Sequence, residues 1–149
     1  MGNMQGYMIT WTTYGTWLQG DKRGYVKDGK VLGENPKLQN ANVQSQAGNS
    51  VKLTVQQREI VRKAILSEAK KLKQKVYSMA VCSNHVHLVV EYISDPIREV
   101  VGYYKNATRV ALQVKGFVGR VWTRGYDKRY CFNEKSLRAR IDYVRKHNY

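Results

Sequence analysis

Residues 76–92 constrain the fold more than any other stretch of the 149-residue chain. Val76 to Cys82 and His85 to Tyr92 are two runs of β-formers separated only by Ser83-Asn84. So tight a connection predicts an antiparallel hairpin. In a strand, side chains two apart share a face. His85 and His87 therefore project side by side, and Val86, Leu88 and Val90 face a core on the other side. Two imidazoles on one face of a rigid strand make a two-ligand metal platform. The same pair also suits a hydrogen-bonded structural role. The remaining histidine, His147, lies near the end of the chain.

The flanking segments complete a pattern. Tyr7-Met8-Ile9-Thr10-Trp11-Thr12-Thr13 is dense in β-formers and reads as a first strand. Gly20 to Gly24 reads as a basic turn, and Tyr25 to Leu32 as a small hairpin with Asp28-Gly29 at its tip. Gly33 to Ser50 is polar, rich in Asn and Gln and without a period, which predicts a mobile loop. Thr54 caps a helix with Gln57 as its capping-box partner. Ile60, Val61, Ala64, Ile65, Leu66, Ala69 and Leu72 supply that helix's apolar face. Asp95 as N-cap and Pro96 at the first helical position open a second helix, which runs to about Lys115 and stops at Gly116. Val118 to Trp122 and Lys128 to Phe132 read as short strands. Asn133 then caps a last helix, Glu134 to His147. The first six elements of the order β-α-β-β-α-β-α match the split βαβ, ferredoxin-like plan. The expected fold class is thus α+β: an antiparallel sheet with helices packed on it, plus a C-terminal helix.

Composition narrows the partner. Lys and Arg number 26 against 11 Asp and Glu, for a net charge of +15. Charge of that sign and size points to a polyanion, nucleic acid before others. Eleven Tyr and three Trp add stacking surfaces. No apolar run reaches the roughly 18 residues of a membrane span, and the N-terminus lacks a signal-peptide pattern. These features predict a cytoplasmic protein, nucleoid-associated when on DNA, with Cys82 and Cys131 reduced. Counting back from the histidines puts Cys82 on the opposite face of the strand, as buried packing. No Walker pattern is present, so no nucleotide cofactor is expected.

The last helix supplies the chemistry. Leu137, Ile141 and Val144 form its apolar stripe, and Tyr143 and His147 share a face one turn apart. If this helix lies across the histidine strand, His147 joins His85 and His87 as a third metal ligand and Tyr143 places its hydroxyl beside the ion. That arrangement suits phosphodiester cleavage. A divalent ion polarises the scissile phosphate, and a tyrosine attacks phosphorus to form a covalent intermediate. A phenol of ordinary pKa, about 10, needs a neighbouring cation or base for this role. Tyr130 and Tyr149 are rival nucleophiles without an i+4 ligand.

Asn84-His85-Val86-His87-Leu88 resembles the HUH motif of single-tyrosine transposases, and Tyr143-Val144-Arg145-Lys146-His147-Asn148 resembles the helix that carries their nucleophile. Thr10 to Leu18 with Gly20-Asp21 and Arg23-Gly24, Leu53-Thr54 with Gln57-Arg58 and Val61, and Val121 to Tyr126 are similar to the REP-associated tyrosine transposase branch. The resemblance covers nearly the whole chain and implies one HUH-type transposase/endonuclease domain over residues 1–149. It implies Tyr143 as catalytic nucleophile and His85, His87 and His147 as ligands of a divalent ion, Mg²⁺ or Mn²⁺ or another transition metal. The third ligand is often Gln or Asn in relatives, and the histidine here favours tighter binding of a transition metal. The family implies cleavage and joining of single-stranded DNA through a 5′-phosphotyrosine, recognition of hairpin DNA, and a homodimer. Lys105 and Arg109 are nominated as DNA contacts. The chain stops two residues after His147, which predicts no C-terminal DNA-binding extension. A different class stays open: a non-catalytic module of ferredoxin-like fold that binds single-stranded nucleic acid.

Overall fold

The chain alternates extended and helical segments in the order β1 (Gly6–Thr12), β2 (Thr16–Leu18), β3 (Val26–Lys27), β4 (Lys30–Val31), β5 (Val43–Ser45), α1 (Val55–Leu72), β6 (Val76–Val81), β7 (His85–Glu91), α2 (Ile97–Val114), β8 (Asp127–Cys131) and α3 (Glu134–Lys146). The structure is a computed structural model that describes residues 4–18, 26–27, 30–31, 43–45 and 50–147. Four strands form an antiparallel sheet of order β6-β7-β1-β8. This is the ferredoxin-like arrangement expected from the element order.

All seven residues of β1 are buried, so layers cover it on both sides. On one face Tyr7, Ile9 and Trp11 join Val86, Leu88 and Val90 of β7, with Val61, Ile65 and Ala69 of α1 and Val100, Val101, Tyr104 and Leu112 of α2. On the other face Met8, Ala80, Cys82, Val89 and Cys131 meet Leu137 and Val144 of α3. The two-residue period of the strands thus divides the core into a large layer under α1 and α2 and a smaller one under α3. Gly6 lies where three elements converge: a Cβ there would stand 2.5 Å from the Val90 carbonyl oxygen and 3.1 Å from Leu137 Cδ1.

A buried polar chain crosses the larger layer. The Tyr104 hydroxyl donates to Gln74 Oε1 (2.6 Å), and Gln74 Nε2 donates to the Tyr7 hydroxyl (3.1 Å) and to the Glu91 carbonyl (3.0 Å). Burial is the main cause that pushes the Tyr7 phenol up to about 12, and it raises Tyr104 as well. Both phenols therefore stay protonated, Tyr104 as the donor and Tyr7 as the acceptor of this chain.

Local signals place several ends. Thr54 Oγ1 accepts from the Gln57 amide (3.1 Å) while Gln57 Oε1 accepts from the Thr54 amide (2.9 Å), closing the expected capping box. Asn133 Oδ1 accepts from the Ser136 amide (2.8 Å) and starts α3. Other expectations need correction. Pro96, not Asp95, is the N-cap of α2, with no side-chain cap; the Asp95 carboxylate instead accepts from the Tyr103 hydroxyl about two turns into the helix (3.5 Å). Leu66 is 51% exposed, because the buried stripe of α1 runs along Val61, Ile65 and Ala69, four residues apart, and Leu66 sits beside it. Residues 118–122 form no strand; only Trp122 pairs, with Thr13. Within the stretch expected as a loop, Val43–Ser45 pairs with β2. The expected hairpin is present as β3 paired with β4, and its Asp28-Gly29 tip lies outside the described residues, as do Gly20 to Gly24. Among the described residues no helix is long and apolar enough to cross a membrane.

Candidate active site

β7 carries His85 and His87 on the face that α3 covers. Strand register explains their surroundings. Across the sheet Ala80, His87, Thr10 and Asp127 stand side by side on β6, β7, β1 and β8. α3 crosses this row and brings in Tyr143 and His147, the residue that caps its C-terminus. Ring centroids lie 4.8 Å apart for His85 and His87, 5.5 Å for His87 and His147, 5.7 Å for His87 and Tyr143, and 4.3 Å for Tyr143 and His147. The four residues expected from the sequence therefore meet within one chain.

Each imidazole is held through Nδ1. His85 Nδ1 donates to Asn84 Oδ1 (2.8 Å), and His147 Nδ1 donates to the Tyr143 carbonyl one turn back (2.8 Å). His87 Nδ1 lies 2.8 Å from the hydroxyl of Thr10, which is wholly buried. The opposite nitrogens, Nε2 of His85 and of His87, are buried without a hydrogen-bond partner. A buried lone pair without a partner is costly unless an ion or a donor meets it, so this pair suits metal ligation. Rings that share one ion through nitrogens at about 2.1 Å have centroids roughly 5 Å apart, close to the separations here. Among the described residues no group of three or more His, Cys, Asp or Glu is gathered to hold a metal. The structure thus supplies a donor pair, with His147 beside it.

Burial, seconded by charge on His147, lowers the His85 pKa from 6.5 to about 4. Burial, then His85 and His147, lowers that of His87 to about 3. Both rings are neutral at physiological pH, with lone pairs available. The sign of the linkage follows. Below pH 6.5 the unfolded chain binds protons at these positions while the folded chain stays neutral, so acid favours unfolding. In metal-free protein each imidazole is expected to cost about 2 kcal/mol at pH 5. Calorimetry in EDTA should show the thermal midpoint falling from pH 7 to pH 5; an unchanged midpoint contradicts the burial of the pair.

The structure corrects the position of Cys82. It lies on the histidine side of the sheet, packed with Ala80 and Val144, and its Sγ donates to the His147 carbonyl (3.4 Å). Face parity does not count through a turn. Strand pairing sets it: Ala80 stands opposite His87, and the Cys82 amide donates to the His85 carbonyl. Tyr130 does not join this cluster within the chain, since it pairs with Tyr7 on the α1–α2 side of the sheet. Tyr149 lies outside the described residues. Lys105 and Arg109 are on α2, away from the histidines. Lys105 Nζ donates to the carbonyls of Thr123 (2.8 Å) and Gly125 (2.7 Å), and Arg109 is exposed and bonds Asn106 and Gln113. Sequence reasoning missed Thr10, whose contact with His87 spans 77 positions and leaves no local signal.

Comparison with known folds agrees with this architecture. A structure of a REP-associated tyrosine transposase bound to a REP hairpin superposes with a TM-score of 0.59 at 13% identity, covering 95% of this chain and 65% of that one. The chain thus spans just under two thirds of that protein. A candidate transposase from Deinococcus radiodurans R1 superposes with a TM-score of 0.51 at 12% identity, covering 99% of this chain and 94% of that one. No curated protein matches the chain. The sequence profile described as IS200-like transposase matches residues 49–147, more than half of the chain and all four residues of the site, and the chain therefore belongs to that transposase family.

Proposed function

We propose that the protein cleaves and rejoins single-stranded DNA beside a hairpin, through a 5′-phosphotyrosine on Tyr143. The observation that carries this reading is Tyr143 and His147 lying against the buried His87, which with its neighbour His85 presents buried Nε2 atoms that have no partner. His85 and His87, with His147 as third donor, would hold a divalent ion, Mg²⁺, Mn²⁺ or another transition metal; when bound, the ion supplies Lewis-acid polarisation of the scissile phosphate. The Tyr143 oxygen attacks phosphorus, its O–H bond breaks, and the 3′ oxygen of the departing strand leaves as a hydroxyl once protonated. Rejoining reverses the step, with a 3′-hydroxyl as nucleophile and the phenol as leaving group. Asn84, Thr10 and the Tyr143 carbonyl orient the three rings through Nδ1. The family resemblance adds a homodimeric assembly, and the hairpin on the structurally similar transposase supports a hairpin substrate.

Protein incubated with single-stranded hairpin DNA and Mn²⁺ should yield a covalent adduct on a denaturing gel, and EDTA should prevent it. If adduct forms equally in EDTA, the metal is no part of the reaction. Thr10→Val tests the orienting role separately. Loss of the hydroxyl beside His87 Nδ1 is expected to weaken Mn²⁺ binding about 10–100-fold by titration calorimetry, while Thr10→Ser retains it. Equal affinity in Thr10→Val removes Thr10 from the site.

A further inference from the structure

Tyr14 and Val121 to Tyr126, singled out in the sequence, have no role in the chemistry above. The structure brings them together. The Tyr14 amide donates to the Val121 carbonyl (2.7 Å), and the Thr123 hydroxyl donates to the Thr13 carbonyl (2.7 Å). Between this seam and α2 runs a groove of about 300 Å³, lined by Lys105, Asn106, Arg109, Arg120, Trp122 and Arg124 among others, with no carboxylate in its lining. Trp122 and Thr123 are buried in its floor, whereas Arg109, Arg120 and Arg124 are exposed at its rim.

The groups at the rim are held in place. The Arg120 guanidinium lies 4.9 Å over the ring of Tyr14, which is 45% exposed, and Arg120 Nε donates to the Trp122 carbonyl (3.2 Å). Lys105 ties residues 123 and 125 to α2 through their carbonyls. Arg109 is braced by Asn106 Oδ1 and Gln113 Oε1. Such bracing lowers the entropy lost when a guanidinium meets a phosphate. The groove is also linked to the histidines, since the Thr13 amide donates to the carbonyl of Asn84, the residue before His85 (2.9 Å).

We propose that this groove is the seat of the single-stranded DNA that flanks the scissile phosphate. Arg109, Arg120 and Arg124 take backbone phosphates, and Tyr14 stacks an unpaired base. A single strand suits this surface better than a duplex, because a duplex offers no unstacked base to the Tyr14 ring. The assignment rests on the cleavage reading above but can be tested apart from it.

The test uses the full-length Tyr143→Phe chain in EDTA, where no cleavage interferes, and a fluorescent single-stranded oligonucleotide followed by anisotropy over a salt series. Arg109→Gln, Arg120→Gln and Arg124→Gln are each expected to reduce the slope of log affinity against log salt by about 0.7. Tyr14→Ala is expected to weaken binding about tenfold with little change in slope. Parent affinity and slope in all four variants overturn the proposal, as does tighter binding of an RNA of the same sequence. Adduct formation by the unaltered chain is scored separately. If adduct forms and the groove variants bind normally, the groove assignment falls and cleavage stands. If the variants bind poorly and the unaltered chain never forms adduct, the groove stands and cleavage falls.

Discussion

Tyr143→Phe is expected to abolish covalent attachment to single-stranded hairpin DNA, lowering the rate of adduct formation by about 10⁴-fold or more. The substitution removes one oxygen and leaves the ring. Tyr143 is half-buried, with its ring 5.7 Å from that of His87 and 4.3 Å from that of His147, and those ring contacts persist in phenylalanine. The His147 Nδ1 bond to residue 143 uses the backbone carbonyl and is unaffected. Fold and metal binding should therefore match the parent, which separates loss of the nucleophile from loss of the site. The readout is a denaturing gel of adduct, with Mn²⁺ affinity by calorimetry as control. Adduct persisting in Tyr143→Phe would assign the nucleophile elsewhere. Tyr130 of the same chain could not take the role, because it lies on the far side of the sheet.

Gly6→Ala is expected to lower stability by about 2–4 kcal/mol. The new Cβ would stand 2.5 Å from the Val90 carbonyl oxygen, a backbone atom that no rotamer change can move. It would also press on Leu137 Cδ1 at 3.1 Å. Relief requires β1 to shift against β7 or α3 to move off the sheet. The first breaks the register that sets Thr10 beside His87, and the second carries Tyr143 and His147 away from the histidine pair. Adduct yield should thus fall together with the thermal midpoint, in contrast to Tyr143→Phe, where only the yield falls. A midpoint within one degree of the parent would contradict the close approach at Gly6.

Local chemistry made much of the architecture legible. The capping box at Thr54, the N-cap at Asn133, the tight Ser83-Asn84 connection and the alternation through Val86, Leu88 and Val90 each fix an element from a few neighbouring residues. The histidine strand and the Tyr143–His147 turn were readable for the same reason, since periods of 2 and 3.6 are local rules. What escaped depends on partners distant in sequence. Cys82 was misplaced because its face is set by pairing across the hairpin. Thr10 and the Tyr14–Val121 seam depend on strand register and on a chain return more than a hundred residues later. Residues 118–122 have strand-forming side chains but only an isolated pairing with Thr13 at Trp122. Val43–Ser45, polar around a single valine, is extended because β2 offers it an edge.

The division of the core into unequal layers has a consequence for how the molecule fails and recovers. Among the described elements α3 alone covers the histidine face, and Leu137 and Val144 are its only buried side chains. Burial of two aliphatic side chains supplies about 1.5–3 kcal/mol each, a modest share of the 5–15 kcal/mol typical of a whole domain. Tyr143 thus rides on a part expected to detach while the sheet, α1 and α2 stay folded. Damage to the larger layer is expected to lower stability, and damage to the smaller one to displace Tyr143 and His147 while the sheet stays folded. The two kinds of lesion should sort cleanly between abundance and activity.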